Sequence, residues 1–150
     1  MSSRTSNVVA VKPAVKRQRG GECFHLGQTR RLESAPEEIA RPARSGPLDA
    51  FAHYRPNFIK VDIEGGETAM LSGARDLLIR SHPILLIELH GTNAAVDAIL
   101  REVRYRTFVV GDSRSILDAP WSAFIIGVPE ENETLCHQAS SLTKSAALER

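Results

Sequence analysis

The sequence predicts an α/β fold in which parallel strands, joined by helices, are finished by one antiparallel strand. Two observations carry that expectation. Short apolar runs of strand length alternate with stretches whose apolar residues recur at helical spacing, which is the pattern of β-α-β units and a parallel sheet. The last two apolar runs have no helical stretch between them, so they form a hairpin and the final strand reverses. A third observation concerns chemistry: charged residues collect where the first two central runs end.

Residues 1–46 are the least patterned. Val8-Val9-Ala10-Val11 has the composition of a short strand that Lys12-Pro13 ends. Beyond it, to about Pro47, the chain is rich in Arg, Gly, Ala, Pro and Ser and lacks periodicity. Such a stretch offers too little apolar surface to offset the entropy of ordering, so a disordered or degenerate basic segment is expected. Order begins near Leu48. Leu48–His53 forms a helical turn, Arg55-Pro56-Asn57 breaks it, and Phe58–Glu64 follows as a strand. From Glu67 to about Arg80 a single helix is expected, because Met70, Leu71, Ala74, Leu77 and Leu78 share one face and Pro83 lies just beyond. Glu67 in its first turn suits the helix dipole. Ile84–Leu89 is the second strand, ended by His90-Gly91. Thr92 or Asn93 caps the next helix, whose apolar face is Val96, Ile99, Leu100 and Val103. Tyr105–Val110 and Trp121–Val128 are the third and fourth strands, with the polar loop Gly111–Pro120 between them and Trp121 and Phe124 expected in the core. The folded domain therefore spans residues 47–129, and residues 130–150 read as a polar tail with a short helix at its extreme end.

The composition is that of a globular domain, with 42% hydrophobic and 25% charged residues and a formal net charge of +1. Residues 1–31 hold seven basic side chains against Glu22 alone, which leaves the rest of the chain at −5. With little aromatic interleaving, that arm reads as solvated rather than as a nucleic-acid contact. Cys23 and Cys136 are isolated and suggest reduced thiols, not a disulfide framework or zinc site. No apolar run approaches the ~20 residues of a membrane span, and no apolar segment follows the basic N-terminus as a signal peptide requires. A soluble, cytoplasmic protein is expected.

The run Phe58-Ile59-Lys60-Val61-Asp62-Ile63-Glu64-Gly65-Gly66-Glu67 carries the chemistry. Asp62 and Glu64 alternate with Val61 and Ile63, so on a strand they share a face with Lys60, and Glu67 is close by. Glu88 and His90 alternate in the same way at the end of the next strand. Burying a charge without a partner is expensive, and ligands sit at the carboxyl ends of strands in open α/β sheets. The cluster is therefore a candidate site. The plain alternative is a pair of strand ends with solvated acids and a structural histidine. Carboxylates with one imidazole also allow a divalent metal such as magnesium or manganese. Lys60 either neutralises a neighbouring acid or contacts substrate, and Gly65-Gly66 supplies a tight turn.

Leu48-Asp49, the run Phe58 to Glu67, Leu71-Ser72-Gly73-Ala74 and the run Pro83 to His90 together resemble the C-terminal half of FkbM-type methyltransferases. The resemblance covers roughly residues 47–128. It implies a Rossmann-like class I methyltransferase fold, here partial, with S-adenosylmethionine as cofactor. It implies O-methylation of a small-molecule acceptor, a hydroxyl of a sugar or secondary metabolite. Asp62, Glu64 and His90 are the expected catalytic residues, and Lys60, Glu67 and Glu88 the substrate-binding ones. Asp62 would lie near the sulfonium and the acceptor hydroxyl, accepting the hydroxyl proton or offsetting the charge on sulfur; Glu64 shares either role or binds the acceptor. The family's glycine-rich cofactor turn has no counterpart, since Gly20-Gly21 follows a basic run, and Lys12 stands where an acid commonly precedes proline. The chain thus reads as a truncated form whose cofactor-binding N-terminal half is missing. Alternatives are a non-catalytic remnant or half-domain that pairs with itself or a partner through an exposed sheet edge, and a divalent-metal-dependent hydrolase.

Overall fold

The computed structural model of the protein describes residues 8–13, 24–28 and 47–145. Six strands form one mixed sheet: β1 (Val8–Pro13), β2 (Phe24–Gln28), β3 (Phe58–Val61), β4 (Ile84–Glu88), β5 (Tyr105–Val109) and β6 (Phe124–Pro129). Their order is β2-β1-β3-β4-β6-β5. β1, β3 and β4 run parallel. β6 runs antiparallel to both β4 and β5, and β2 antiparallel to β1. The class is α/β, and the reversed last strand lies where the helix-free hairpin pattern puts it.

Two of these strands fall inside the segment expected to be disordered or degenerate. β1 includes the Val8–Val11 run and extends through Pro13, and β2 has no counterpart in the sequence reading. Pairing explains both, because β1 joins the parallel edge of β3 and β2 joins β1. A short strand of modest hydrophobicity is stabilised by its neighbours rather than by its own pattern. Gly20-Gly21 and Cys23 lie outside the described residues.

Alternation along β3 and β4 sorts the sheet into two faces. Ile59, Val61, Leu85 and Ile87 have no exposed surface, whereas Lys60, Leu86 and Glu88 between them are half-buried. The buried face packs against three helices: α1 (Glu67–Ser72), α2 (Arg75–Ser81) and α3 (Asn93–Glu102). Met70, Leu71, Leu77, Leu78, Val96 and Leu100 complete that core. Fully burying each such side chain is worth about 1.5–3 kcal/mol.

The single helix expected over 67–80 is two. The break lies at Gly73-Ala74, where the 3-10 helix Leu48–Tyr54 docks. Asp49 N–H donates to the Gly73 carbonyl at 2.9 Å, and its carboxylate accepts from the N–H groups of Leu77 at 2.8 Å and Asp76 at 3.4 Å. Asp49 therefore caps α2 from a distant part of the chain, satisfying donors that a helix start leaves open. A side chain on Gly73 would come within 3.3 Å of Pro47 Cβ, so the close approach favours glycine.

The polar tail is also structured. α4 (Glu133–Ser145) buries Cys136 and Ala139 against Val128, with Phe108, Ile126 and Leu135 alongside. These residues cover the β5-β6 end of the sheet's second face. Cys136 is a free, buried thiol.

Candidate active site

The carboxyl ends of β3 and β4 bring the acidic cluster together. β3 ends at Val61, and Ile63–Gly66 forms a turn closed by Gly66 N–H on the Ile63 carbonyl at 3.1 Å. Glu64 (φ 47°) and Gly65 (φ 95°) both occupy the left-handed region. Gly65 does so freely, while Glu64 carries the strain of a side chain there. The turn corrects the expectation that Asp62 and Glu64 share a strand face, since Glu64 is in the turn and exposed.

The turn delivers Glu67 to the first position of α1, where it has 0% exposure. Its carboxylate is saturated. Oε1 accepts from Gly65 N–H at 3.0 Å and from His90 Nδ1 at 2.9 Å, and Oε2 accepts from the Thr92 hydroxyl at 2.9 Å. Burial opposes the charge, but the hydrogen bonds from Gly65, His90 and Thr92 outweigh it and hold the Glu67 pKa below the ordinary value. Ionised Glu67 fixes the imidazole tautomer, with Nδ1–H donating. Glu67, expected to contact substrate, is buried here and bound to Gly65, His90 and Thr92.

His90 follows β4 and is 14% exposed at its side chain. The hydrogen bond to Glu67 raises its pKa; partial burial works against this, and the charges of Glu67, Glu88 and Asp62 add to the rise. Asp62 from β3 and Glu88 from β4 thus act on the same imidazole. Its Nε2 stands 4.0 Å from Glu88 Oε1, beyond hydrogen-bonding distance, which leaves Nε2 open to another partner. Lys60 pairs with Asp62 at 3.1 Å, with both side chains over one-third exposed. Lys60 thus has an acidic partner within the cluster.

Thr92 was expected only as a helix cap. It does precede α3, but makes no side-chain capping bond because its hydroxyl is committed to Glu67. Trp121 and Phe124, expected in the core, are 67% and 42% exposed. β6 begins only at Phe124, so Trp121 lies in the preceding loop beside His90, with ring centroids 5.7 Å apart in an edge-on contact. No periodic signal distinguishes such a residue from the core strand it adjoins.

Among the described residues, no three His, Cys, Asp or Glu side chains gather closely enough to hold a metal ion, so this geometry lends the metal-dependent reading no support. No helix among them is long and apolar enough to cross a membrane. Two surface hollows, one beside His82 and Glu131 and one beside His53 and Arg80, touch none of the cluster residues.

A family model described as Methyltransferase FkbM domain matches residues 17–110. No curated protein and no solved structure matches the chain. The match runs through β3, the turn carrying Glu64 and Glu67, β4, His90 and α3, and begins well upstream of residue 47. On that span, the chain belongs to the FkbM methyltransferase family.

Proposed function

We propose that this chain carries the acceptor side of an S-adenosylmethionine-dependent O-methyltransferase in a Rossmann-like sheet. The observation that carries the reading is His90 at the carboxyl end of β4, held through Nδ1 by a buried carboxylate while Nε2 stands 4.0 Å from Glu88 without a hydrogen bond to it. The family match supports methyl transfer in general.

The donor set fits the cofactor's charge. Asp62 and Glu88 place anionic oxygens where a cationic sulfonium gains from them, and Asp62 is the residue assigned to it. Bound S-adenosylmethionine supplies an electrophilic methyl group. His90 Nε2 takes the proton from the acceptor hydroxyl, and Glu67 stabilises the imidazolium that results, as the acid of a histidine-carboxylate dyad does. Raising the pKa of His90 makes it a stronger base in the neutral range. Glu88 accepts a hydrogen bond from the acceptor and orients it. Exposed Glu64 reaches the acceptor from the turn, and Lys60 pairs with Asp62. The acceptor is a hydroxyl on a sugar or secondary metabolite.

Calorimetric titration with S-adenosylhomocysteine tests the cofactor, and transfer of labelled methyl to a panel of polyols tests the reaction. Binding is expected, together with transfer that His90→Ala reduces about 10²-fold or more. No heat and no thermal shift with either form of the cofactor would refute the assignment for this polypeptide.

A further inference from the structure

Large aromatic side chains are normally withdrawn from water, so an exposed one that is also firmly held is informative. Trp121 is 67% exposed, yet its surroundings fix it. Gly91 N–H donates to the Trp121 carbonyl at 2.9 Å, and Leu89 N–H to that of Ala123 at 2.8 Å. Asn93 Nδ2 ties down the approaching loop through the Ile116 carbonyl at 3.0 Å and the Ala119 carbonyl at 2.9 Å. The indole lies so close over Gly91 that a Cβ there would sit 2.4 Å from its Nε1. It also meets a site residue rather than the core: His90 contacts it edge-on.

Two further exposed apolar side chains lie on, or just past the end of, the neighbouring strands. Phe124, 42% exposed, is the cross-strand partner of Glu88. Val110 N–H donates to the Phe124 carbonyl at 2.8 Å, and Val110 is 45% exposed. An apolar shelf therefore begins beside the residues that would handle a hydroxyl.

Resting on the proton-transfer role of His90 proposed above, we infer that Trp121 is a specificity-determining wall of the acceptor site and that it receives the flat face of a ring bearing the reacting hydroxyl. With the two ring centroids 5.7 Å apart, a hydroxyl within reach of His90 Nε2 has its parent skeleton close to the indole. A ring lying on the indole gains dispersion and desolvation without ordering the wall, which is already ordered. An open-chain alcohol offers no matching face.

Saturation-transfer NMR on the full chain can decide this with three probes: methyl glucopyranoside as an aliphatic ring, catechol as an aromatic ring, and glycerol as a polyol without one. At least one ring probe should bind while glycerol binds roughly tenfold more weakly or not at all. Trp121→Ala should weaken that probe about tenfold, and Trp121→Phe, which keeps a flat ring, by about threefold or less. S-Adenosylhomocysteine affinity, measured in parallel by calorimetry, should not change in either variant. The inference is overturned if no ring probe binds, if glycerol binds as well as the rings, or if Trp121→Ala leaves ring binding intact. It is also overturned if Trp121→Ala abolishes cofactor affinity, since the indole would then serve the cofactor. Failure of the wild-type chain to bind the cofactor removes the methyltransferase reading instead, and the ring-probe series still decides the role of Trp121.

Discussion

Two ion pairs stand at the carboxyl edge of this sheet, and they are nearly alike in length. Lys60 and Asp62 approach to 3.1 Å, and His90 and Glu67 to 2.9 Å. Their surroundings differ. The first pair keeps over a third of each side chain in water, whereas Glu67 has none exposed and holds three donors at once. Distance alone therefore says little about worth. An exposed pair exchanges one set of solvated charges for another and gains about 0–1 kcal/mol. A buried carboxylate binds its partners to itself, because losing any of them strands a group that water cannot reach.

Glu67→Ala should give the largest effect and breaks the comparison most directly. Removing the carboxylate leaves the Thr92 hydroxyl, the Gly65 N–H and the His90 Nδ1–H without their acceptor, and stability should fall by about 3–5 kcal/mol in urea unfolding. A change under about 1 kcal/mol would mean that the pair is no different from its exposed neighbour. His90→Ala should be milder for the fold, about 1–3 kcal/mol, because Glu67 retains two of its three donors. It should be severe for methyl transfer, so the two readouts should separate.

Glu67→Gln sharpens the contrast through pH. His90 has a raised pKa, so its contribution is fully present below the ordinary value of 6.5 and is lost as pH rises through the folded value. Glu67 has a depressed pKa, so its contribution is present above the ordinary value of 4.5 and is lost as pH falls through the folded value. The stability difference between wild type and Glu67→Gln should therefore be greatest between about pH 4.5 and 6.5, on the order of 1–2 kcal/mol, and shrink on either side. A flat profile in denaturant titrations across that range would argue against a charged pair. Lys60→Ala should change stability least, by less than about 1 kcal/mol, with little left in high salt. A larger loss would show that Lys60 supports more than Asp62.

The parts legible in the sequence were those whose pattern comes from the residues themselves. β3 and β4 showed as apolar runs, α3 as the Val96, Ile99, Leu100, Val103 face, and the antiparallel finish as two runs without a helix between. What stayed hidden depends on partners distant in the chain. The helix break at Gly73 exists because Asp49 docks there, and the periodicity of Met70 to Leu78 continues across it. The tail read as polar with only a short terminal helix, whereas α4 runs from Glu133 to Ser145, because Cys136 and Ala139 present little apolar surface and it is Val128, Phe108 and Ile126 that give them something to bury. The proximity of Lys60, Asp62, Glu64, Glu67, Glu88 and His90 was legible, since all six lie at or just beyond the ends of β3 and β4. Their burial was not. Glu67 and Glu64 look equivalent in sequence, but the left-handed turn at Glu64 and Gly65 sends one into the interior and leaves the other in solvent.

The edge contact between Trp121 and His90 gives the molecule a built-in optical gauge. Trp121 is the chain's one tryptophan, so ultraviolet emission excited in the indole band comes from that ring alone. An imidazolium beside an indole drains its excited state far more efficiently than a neutral imidazole does. The brightness of the protein should therefore report whether this particular histidine carries one proton or two, without a label and in the absence of any substrate.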